Sequence, residues 1–355
     1  MKENRFLYTV RFIACLAVIT IHTRFPGYFG QLLDALARFA VPYFFAISGR
    51  FLLATNEGGT KYIRSRTGRA LGKTLKVTGL VYFVYLVFSI GVHLFYKNSL
   101  IEWFSSKFNP AEAFNFVLFN SGKFIYDWTY TFDHMWYLFA LIYVYGLIYI
   151  FAPVLRSWYK GLIGILLFFL FFGQLLQTYY PIRPFGINIC TWFVMRNWLF
   201  VGIPFVLIGV LFADFIRDKV DTLDEEKKNR WIKSARVKAF LLLGAGVVLT
   251  AVEMQILGKK EVYMGSVCIV VSILILSECL DMGGKVLWKI GRDASSNIYY
   301  YHVLVIAILD LMANAGIIAA MPMYAKPIVV MAICVILFYF VPAIFRKRLK
   351  MPSSV

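Results

Sequence analysis

The sequence predicts an all-α, polytopic membrane protein, on the evidence of composition, run length and charge distribution. Of the 355 residues, 60% are apolar and 18% are aromatic, and the mean hydropathy of +0.70 is too high for a soluble globular chain. Several apolar runs reach the roughly 20 residues that a helix needs to cross a bilayer. These runs lack the alternation of barrel strands, and a helix satisfies its backbone groups within one segment, so we expect helical spans.

Ten spans are predicted along the chain. They cover residues 6–24, 31–54, 74–96, 134–153, 161–178, 197–216, 237–257, 262–280, 296–316 and 327–345. The N-terminal "MKENRFLYTVRF" has no small-residue cleavage site after a short apolar core, so we expect the first span to be retained. An even number of spans places both termini on the same side of the membrane.

Lysine and arginine are distributed unequally between the two sets of connections. The set that includes both termini holds 25 of these residues, and the opposite set holds nine. The positive-inside rule therefore predicts that both termini are cytoplasmic. The net charge of +18 follows mainly from this topology and from attraction to anionic lipid headgroups, so it requires no nucleic acid partner. We expect a multi-pass protein of the plasma membrane.

Two connections on the predicted outer side are long. Residues 97–133 are rich in Phe, Trp and Tyr and are expected to lie along the outer interface as amphipathic helix; the other connection covers 179–196. No internal repeat is evident, so an inverted-repeat transporter gains no support. The five cysteines are scattered without a CxxC pair and no metal-ligand spacing is present, so we predict neither a disulfide framework nor a metal site.

The first span contains "RFIACLAVITIH", which runs from Arg11 to His22. Eleven residues at about 100° each make about three turns plus 20°, so both side chains leave one helix face, about 16 Å apart along the axis. Each residue alone is explained by snorkelling or by an interfacial hydrogen bond. Together on one face they favour a lined cavity, with a cation at the inner mouth and a titratable base farther out.

Two other pairs of charges share a helix face. Asp34 and Arg38, four residues apart in the second span, are expected to form a structural pair. Arg66 and Arg69 lie in the cytoplasmic segment after that span. Two guanidiniums on one face suit a phosphate-bearing ligand, although composition alone favours an anchor on anionic lipid.

Further candidate site residues occur at the start of the fourth and ninth spans. His134 stands in "DHMWYL" at the outer end of the fourth span. In "SSNIYYYHVLVI", Ser295, Tyr299 and His302 follow an i, i+4, i+7 pattern that places them on one helix face, about two turns into the bilayer from the cytoplasm. His93, at the outer end of the third span, is interpreted as interfacial.

Taken in order, these motifs resemble the acyltransferase-3 family of integral membrane acyltransferases. The shared features are the Arg-x10-His of the first span, "FFAISGRFL", the Arg-x-x-Arg of the next loop, "HMWYL", "RNWLFVGIPFVLIGVLF" and Ser-x-x-x-Tyr-x-x-His. The resemblance covers nearly the whole chain, which we interpret as a single domain over 1–355. The sequence departs from the family in having Tyr300 and Tyr301 where aliphatic residues are usual, which leaves open which tyrosine faces the cavity.

"RNWLFVGIPFVLIGVLF" and "VPYFFAISG" also resemble the membrane domain of the vancomycin-resistance serine racemases. The chain ends at residue 355, so we expect neither the racemase domain of those proteins nor the SGNH-type extracellular domain of some acyltransferase-3 proteins.

The resemblance implies transfer of an acyl group, usually acetyl, from cytoplasmic acyl-CoA to a hydroxyl of a cell-envelope glycan or lipid-linked sugar. It implies that Arg66 and Arg69, with Arg11 deeper in, bind the phosphates of CoA. Ser295 and His302 are then expected on the donor-binding face.

The resemblance also implies the chemistry. His22 is expected to be the general base that activates the acceptor hydroxyl, and His134 or Tyr299 is expected to donate a hydrogen bond to the developing oxyanion. Whether transfer is direct or passes through an acylated residue is left open by the sequence.

Two other functions stay open at this point. A transporter or flippase, for example for serine, would also align polar groups across the membrane. A non-catalytic subunit would anchor a partner through 97–133. The acceptor of the enzyme hypothesis is open as well, among exopolysaccharide, peptidoglycan, teichoic acid, a lipid-linked sugar and an antibiotic-like small molecule.

Overall fold

The computed structural model describes residues 4–53, 59–127, 129–179 and 195–348. Within these ranges, eight helical segments are long and apolar enough to cross a membrane, and the apolar helix Met264–Cys279 is shorter. The prediction of an all-α polytopic membrane protein is confirmed. Most of the predicted connection 179–196, with Cys190, lies outside the described residues.

The first half of the described chain runs through seven helices. They are α1 (Arg5–His22), α2 (Gly27–Ala37), α3 (Ala40–Ser48), α4 (Gly59–Phe95), α5 (Leu100–Lys107), α6 (Pro110–Phe119) and α7 (Trp136–Tyr179). The segment Gly49–Leu53 continues α3 as a π-helical turn, and the 3₁₀ turn Asp133–Met135 precedes α7. Asn4 caps α1, because its Oδ1 accepts a hydrogen bond from the Leu7 amide at 3.0 Å.

The second half contributes seven more helices. They are α8 (Ile203–Phe215), α9 (Glu225–Leu257), α10 (Met264–Cys279), α11 (Leu287–Asp293), α12 (Ser295–Asn314), α13 (Lys326–Val335) and α14 (Val341–Arg348). Three π-helical turns extend this set: Trp198–Gly202 before α8, Ile216–Val220 after it, and Ile336–Phe340 between α13 and α14.

The helix α7 contains two of the predicted spans and reverses between them. Its backbone leaves helical geometry at Phe151, beside Pro153. A straight helix of its 44 residues would be about 66 Å long. Instead its two ends lie close together, because both contact one ion pair, Arg196–Glu261. At the start of α7, the Trp136 ring packs against the Arg196 guanidinium. Near its end, Gln174 Oε1 accepts a hydrogen bond from the Glu261 amide. The predicted spans 134–153 and 161–178 therefore correspond to the two arms of α7.

Two close helix contacts depend on glycine. A Cβ built on Gly209 of α8 would lie 1.9 Å from the carbonyl oxygen of Ala46, and one built on Gly49 would lie 1.9 Å from that of Val206. Because glycine has no Cβ, the backbones of α3 and α8 can come into direct contact at these two positions. We call the end of the bundle that carries Thr23 and Lys326 the outer end, following the predicted orientation, and the opposite end the inner end.

Candidate active site

Three histidines from separate parts of the chain meet inside the bundle. His22 ends α1, His134 lies in the turn before α7, and His302 lies two turns into α12. Their ring centroids are 5.1 Å apart for His22 and His302, 5.3 Å for His134 and His302, and 6.3 Å for His22 and His134. We call these three side chains the imidazole cluster. The structure thus brings together residues that are up to 280 positions apart in sequence.

Two members of the cluster are held by backbone carbonyls. His134 Nε2 lies 3.1 Å from the carbonyl oxygen of Tyr300, and His302 Nδ1 lies 2.7 Å from that of Tyr299. Because a carbonyl only accepts, each of these nitrogens carries the hydrogen. His134 Nδ1 and His302 Nε2 are then the acceptor nitrogens of neutral rings, and both are buried without a hydrogen-bond partner among the described residues.

His22 differs from its two neighbours in access. Its ring is half-buried and forms no hydrogen bond with any described residue. It lines three adjoining cavities, of about 40 Å³, 420 Å³ and 790 Å³. We call them the small, the lateral and the large cavity; the last two open at the outer end. Within the imidazole cluster, His22 is therefore the ring that a ligand in either of the larger cavities reaches.

A tyrosine on α12 completes the cluster. The Tyr299 ring lies 5.9 Å from His302 and lines the small cavity, and its hydroxyl donates to the His134 carbonyl oxygen at 2.8 Å. Tyr301 instead stacks on Phe338, with ring centroids 5.7 Å apart. The tyrosine of the Ser-x-x-x-Tyr-x-x-His pattern is thus the one that faces the cavity, which the sequence left open.

An ion-pair network adjoins the cluster on the other side of the small cavity. Glu261 Oε2 accepts from Arg38 Nη1 at 2.7 Å and from Arg196 Nη1 at 3.0 Å, and Asp34 bonds the second Arg38 nitrogen at 3.3 Å. Burial alone would raise the pKa of Glu261, but Arg196, Arg38 and Lys259 lower it to about 2. The predicted pair of Asp34 and Arg38 is present, but its position beside the site was not expected.

Sequence reasoning missed Arg196 and Glu261 as site residues. Both stand just outside a predicted span, where charged residues are ordinary, so neither was a candidate. One clue was present in the sequence. Arg38 lies in the second predicted span, and its guanidinium can bind more acceptors than the single carboxylate of Asp34 supplies, which indicates a further acidic partner.

The predicted inner part of the site lies along α1 and the start of α12. Arg11 is half-buried, and its Nη2 donates to Ser296 Oγ at 2.6 Å. The neighbouring Ser295 accepts a hydrogen bond from Cys15 Sγ through its carbonyl oxygen at 3.3 Å, and its own hydroxyl is buried. Ser296, one position from the predicted residue, is therefore the serine that contacts Arg11.

Arg66 and Arg69 lie on the inner part of α4. Arg69 is exposed, and Arg66 is half-buried, stacks on Tyr62 and donates to its hydroxyl at 3.0 Å. Tyr85, on the same helix, contacts the His134 ring at 4.9 Å and marks the level of the imidazole cluster. Arg69 is 16 residues before Tyr85, or about 24 Å along the axis, so the two arginines are far from the cluster.

Among the described residues, no group of three or more His, Cys, Asp or Glu side chains is arranged to hold a metal ion. Within the cluster, His134 and His302 each already use one ring nitrogen on a carbonyl oxygen.

Comparison with known proteins identifies the family. A family model described as "Acyltransferase domain" matches residues 4–347, which is nearly the whole chain. The chain belongs to the acyltransferase-3 family. This acyltransferase gave no significant match in searches of curated proteins and of solved structures.

Two features of this acyltransferase lie at different depths along α1. The imidazole of His22 borders cavities that open at the outer end, whereas Arg11 lies about 16 Å nearer the inner end on the same helix face. The enzyme thus has a cationic inner side and a basic imidazole at the floor of its outer cavities.

Proposed function

We propose that this protein is an O-acyltransferase, with acetyl the expected group, that moves the acyl from cytoplasmic acyl-CoA to a hydroxyl of an envelope glycan or lipid-linked sugar on the outer side. The observation that carries the proposal is the imidazole cluster, in which His22 alone faces the outer cavities. The family supports acyl transfer, and the alignment of Arg11 with His22 supports a donor that enters from the inner end.

In the proposed reaction, His22 is the general base. The acceptor hydroxyl loses its proton to a nitrogen of the neutral His22 ring as its oxygen attacks the thioester carbon. The carbon–sulfur bond then breaks, and the departing CoA thiolate takes the proton from the imidazolium. The products are the ester and free CoA, and His22 returns to its neutral form. Such a base contributes typically about 10²- to 10⁴-fold to the rate.

Tyr299 or His134 is the proposed oxyanion donor. In this structure the Tyr299 hydroxyl donates to the His134 carbonyl oxygen, and the His134 N–H donates to the Tyr300 carbonyl oxygen. Either group must therefore change partner before it can donate to an oxyanion. Their contact with the small cavity supports the role, since a cavity of about 40 Å³ accepts a single small polar group such as a carbonyl oxygen.

Arg66 and Arg69 are the proposed partners of the CoA phosphates, and Arg11 is the proposed partner deeper in. Guanidiniums bind phosphate oxygens with charge-assisted hydrogen bonds. Ser295 and His302, which share one face of α12, are the proposed donor-binding residues of that helix. The position of Arg66 and Arg69 at the inner end supports this assignment.

The test uses purified full-length protein in detergent, with acetyl-CoA as the probe, and measures both binding and release of CoA. His22→Ala is expected to bind acetyl-CoA as wild type does and to lose turnover by about 10²-fold or more. His93→Ala is the matched control, because His93 also lines the lateral cavity but its Nδ1 lies 2.8 Å from the Ser89 carbonyl oxygen and its ring packs on Trp103. Normal turnover in His22→Ala would remove the proposed base.

The donor half is tested in the same assay. Arg66→Ala/Arg69→Ala is expected to weaken acetyl-CoA binding by about tenfold, whereas Lys73→Ala, an exposed cation on the same helix, leaves it unchanged. Failure of wild type to bind any acyl-CoA would contradict the proposal. Uptake of serine or a small sugar without acyl-CoA would then favour the transporter.

A further inference from the structure

The large cavity collects most of the cations on the outer side of this protein. Nine Lys and Arg residues lie in the predicted outer connections. Five of them line this one cavity, and they are joined by Arg38, the residue that follows α2. The set is Arg24, Arg38, Arg196, Lys259, Lys260 and Lys326. The positive-inside rule disfavours cations on the outer side, so it explains neither their presence nor their convergence.

Part of this charge is structural. Glu261 and Asp34 neutralise Arg38 and Arg196, and Asp310 pairs with Lys326 at 2.6 Å. The pairs with Glu261 and Asp34 hold the end of α2, the segment before α8 and the turn before α10 together, and the Asp310–Lys326 pair joins α12 to α13. They account for three of the six cations.

The remaining charge faces the cavity. Arg24 and Lys259 are both exposed, and neither forms an ion pair within the part of the chain that the structure describes. Lys260 donates to the Gln174 carbonyl oxygen at 3.3 Å. Asp133 is the carboxylate that lines the cavity beside them and remains outside the pairs described above.

An exposed aromatic ring stands at the same opening. Tyr130 lines both the lateral and the large cavity, and its side chain is 70% exposed. Its backbone φ of 59° is in the left-handed region, which bulky residues seldom adopt. An aromatic face held in the mouth of a polar cavity is a surface on which a sugar ring stacks.

We propose that the acceptor is an anionic saccharide, whose phosphate or carboxylate binds Arg24 and Lys259 in the large cavity while its hydroxyl reaches His22. This deepens the proposed function and rests on it. A cavity with a net excess of cations concentrates anions, and Arg and Lys bind phosphate and carboxylate directly. Asp133 repels an anion on its own side of the cavity. The anionic group therefore sits on the wall formed by Arg24 and Lys259.

The test measures binding of three soluble probes to the full-length protein in detergent by thermal shift: glucose 1-phosphate, methyl glucuronide and neutral methyl glucoside. Wild type is expected to bind at least one anionic probe at least about tenfold more tightly than the neutral probe, and to lose this preference at high salt. Phosphate-selective binding identifies a phosphate-bearing acceptor, and glucuronide-selective binding a carboxylate-bearing one.

The variant Arg24→Gln/Lys259→Gln is expected to lose about tenfold in affinity for the anionic probe. Lys97→Gln, an exposed outer cation away from the cavity, is the control and should bind as wild type does. Equal binding of all three probes, no anion binding, or an unaffected double variant would overturn the inference. Since acyl-CoA takes no part in this assay, its failure is separate from failure of the acyl-transfer proposal.

Discussion

His22 and His302 are identical side chains whose different surroundings give them different access to a ligand. His302 is fully buried and donates from Nδ1 to a carbonyl of its own helix, so its ring orientation is set. His22 ends its helix and borders three cavities, so its ring is free to meet a ligand. The same reasoning separates it from His93, whose ring packs on Trp103. The proposed base is thus identified by access as well as by residue type.

Glu261 is predicted to stabilise the site in a pH-dependent way. Its pKa of about 2 in the folded protein is below the usual 4.5, so its contribution is complete above about pH 4.5 and is lost as the pH falls toward 2. Glu261→Gln removes the carboxylate that Arg38 and Arg196 share. It is expected to lower the free energy of unfolding at pH 7 by about 3 kcal/mol.

Thermal denaturation of the purified protein at pH 7 and pH 3 checks this. The difference between wild type and Glu261→Gln should shrink at the lower pH. Glu226→Gln is the control, since the Glu226 carboxylate is 83% exposed and pairs with Arg230 across one helix turn. A difference that is the same at both pH values would show that the ionised carboxylate is not the source of stability.

The helices that carry the site are held by close backbone contacts. One such contact joins α3 to α8 at Gly209. Arg38 lies just before α3 and Arg196 lies just before the segment that leads into α8, and both pair with Glu261. Likewise Gly265 of α10 approaches α9, where an added Cβ would lie 2.3 Å from the Gly246 carbonyl oxygen. Small residues at such points allow helices to pack closely in a membrane.

Gly209→Ala is expected to destabilise the protein by about 1–3 kcal/mol, because its Cβ would meet the backbone of Ala46, which has no flexible side chain to move aside. Thermal denaturation in detergent measures the effect. Gly244→Ala is the matched control, since a Cβ there meets nothing within 4 Å and alanine favours the helix. Equal stability of the two variants would argue against the α3–α8 contact.

The whole molecule depends on the reversal of α7 at Phe151. If α7 continued without the bend at Phe151, Ser157 and the residues after it would lie beyond the inner end of the bundle. The later helices would then have a different orientation. The contacts of Trp136 and Gln174 with the Arg196–Glu261 pair require the reversal. It follows that Ser157 is at the inner end and Ile317 at the outer end.

Cysteine labelling in intact cells tests this topology and the predicted orientation together. In a variant with all five native cysteines replaced, Lys97→Cys and Ile317→Cys should react with a membrane-impermeant thiol reagent. Ser157→Cys should react only after the membrane is opened; all three side chains are exposed on the protein surface. Reaction of Ser157→Cys in intact cells would contradict either the reversal or the cytoplasmic placement of the termini.

Much of the candidate site followed from spacing within single helices. The eleven-residue interval from Arg11 to His22 and the i, i+4, i+7 pattern from Ser295 to His302 are properties of one helix, so the sequence predicts their shared faces. Arg196 and Glu261 could not be found in this way. They are 65 positions apart, and each meets the site only because two span ends pack together.

The helical spans, the imbalance of charge and the membrane setting were legible in the sequence alone, because hydropathy and helix periodicity act over about 20 neighbouring residues. Tertiary structure decided the rest: which tyrosine faces the cavity, the meeting of the imidazole cluster, and the convergence of outer cations around one cavity. These features arise from packing between distant segments, where the position of a side chain depends on helices that the local pattern does not specify.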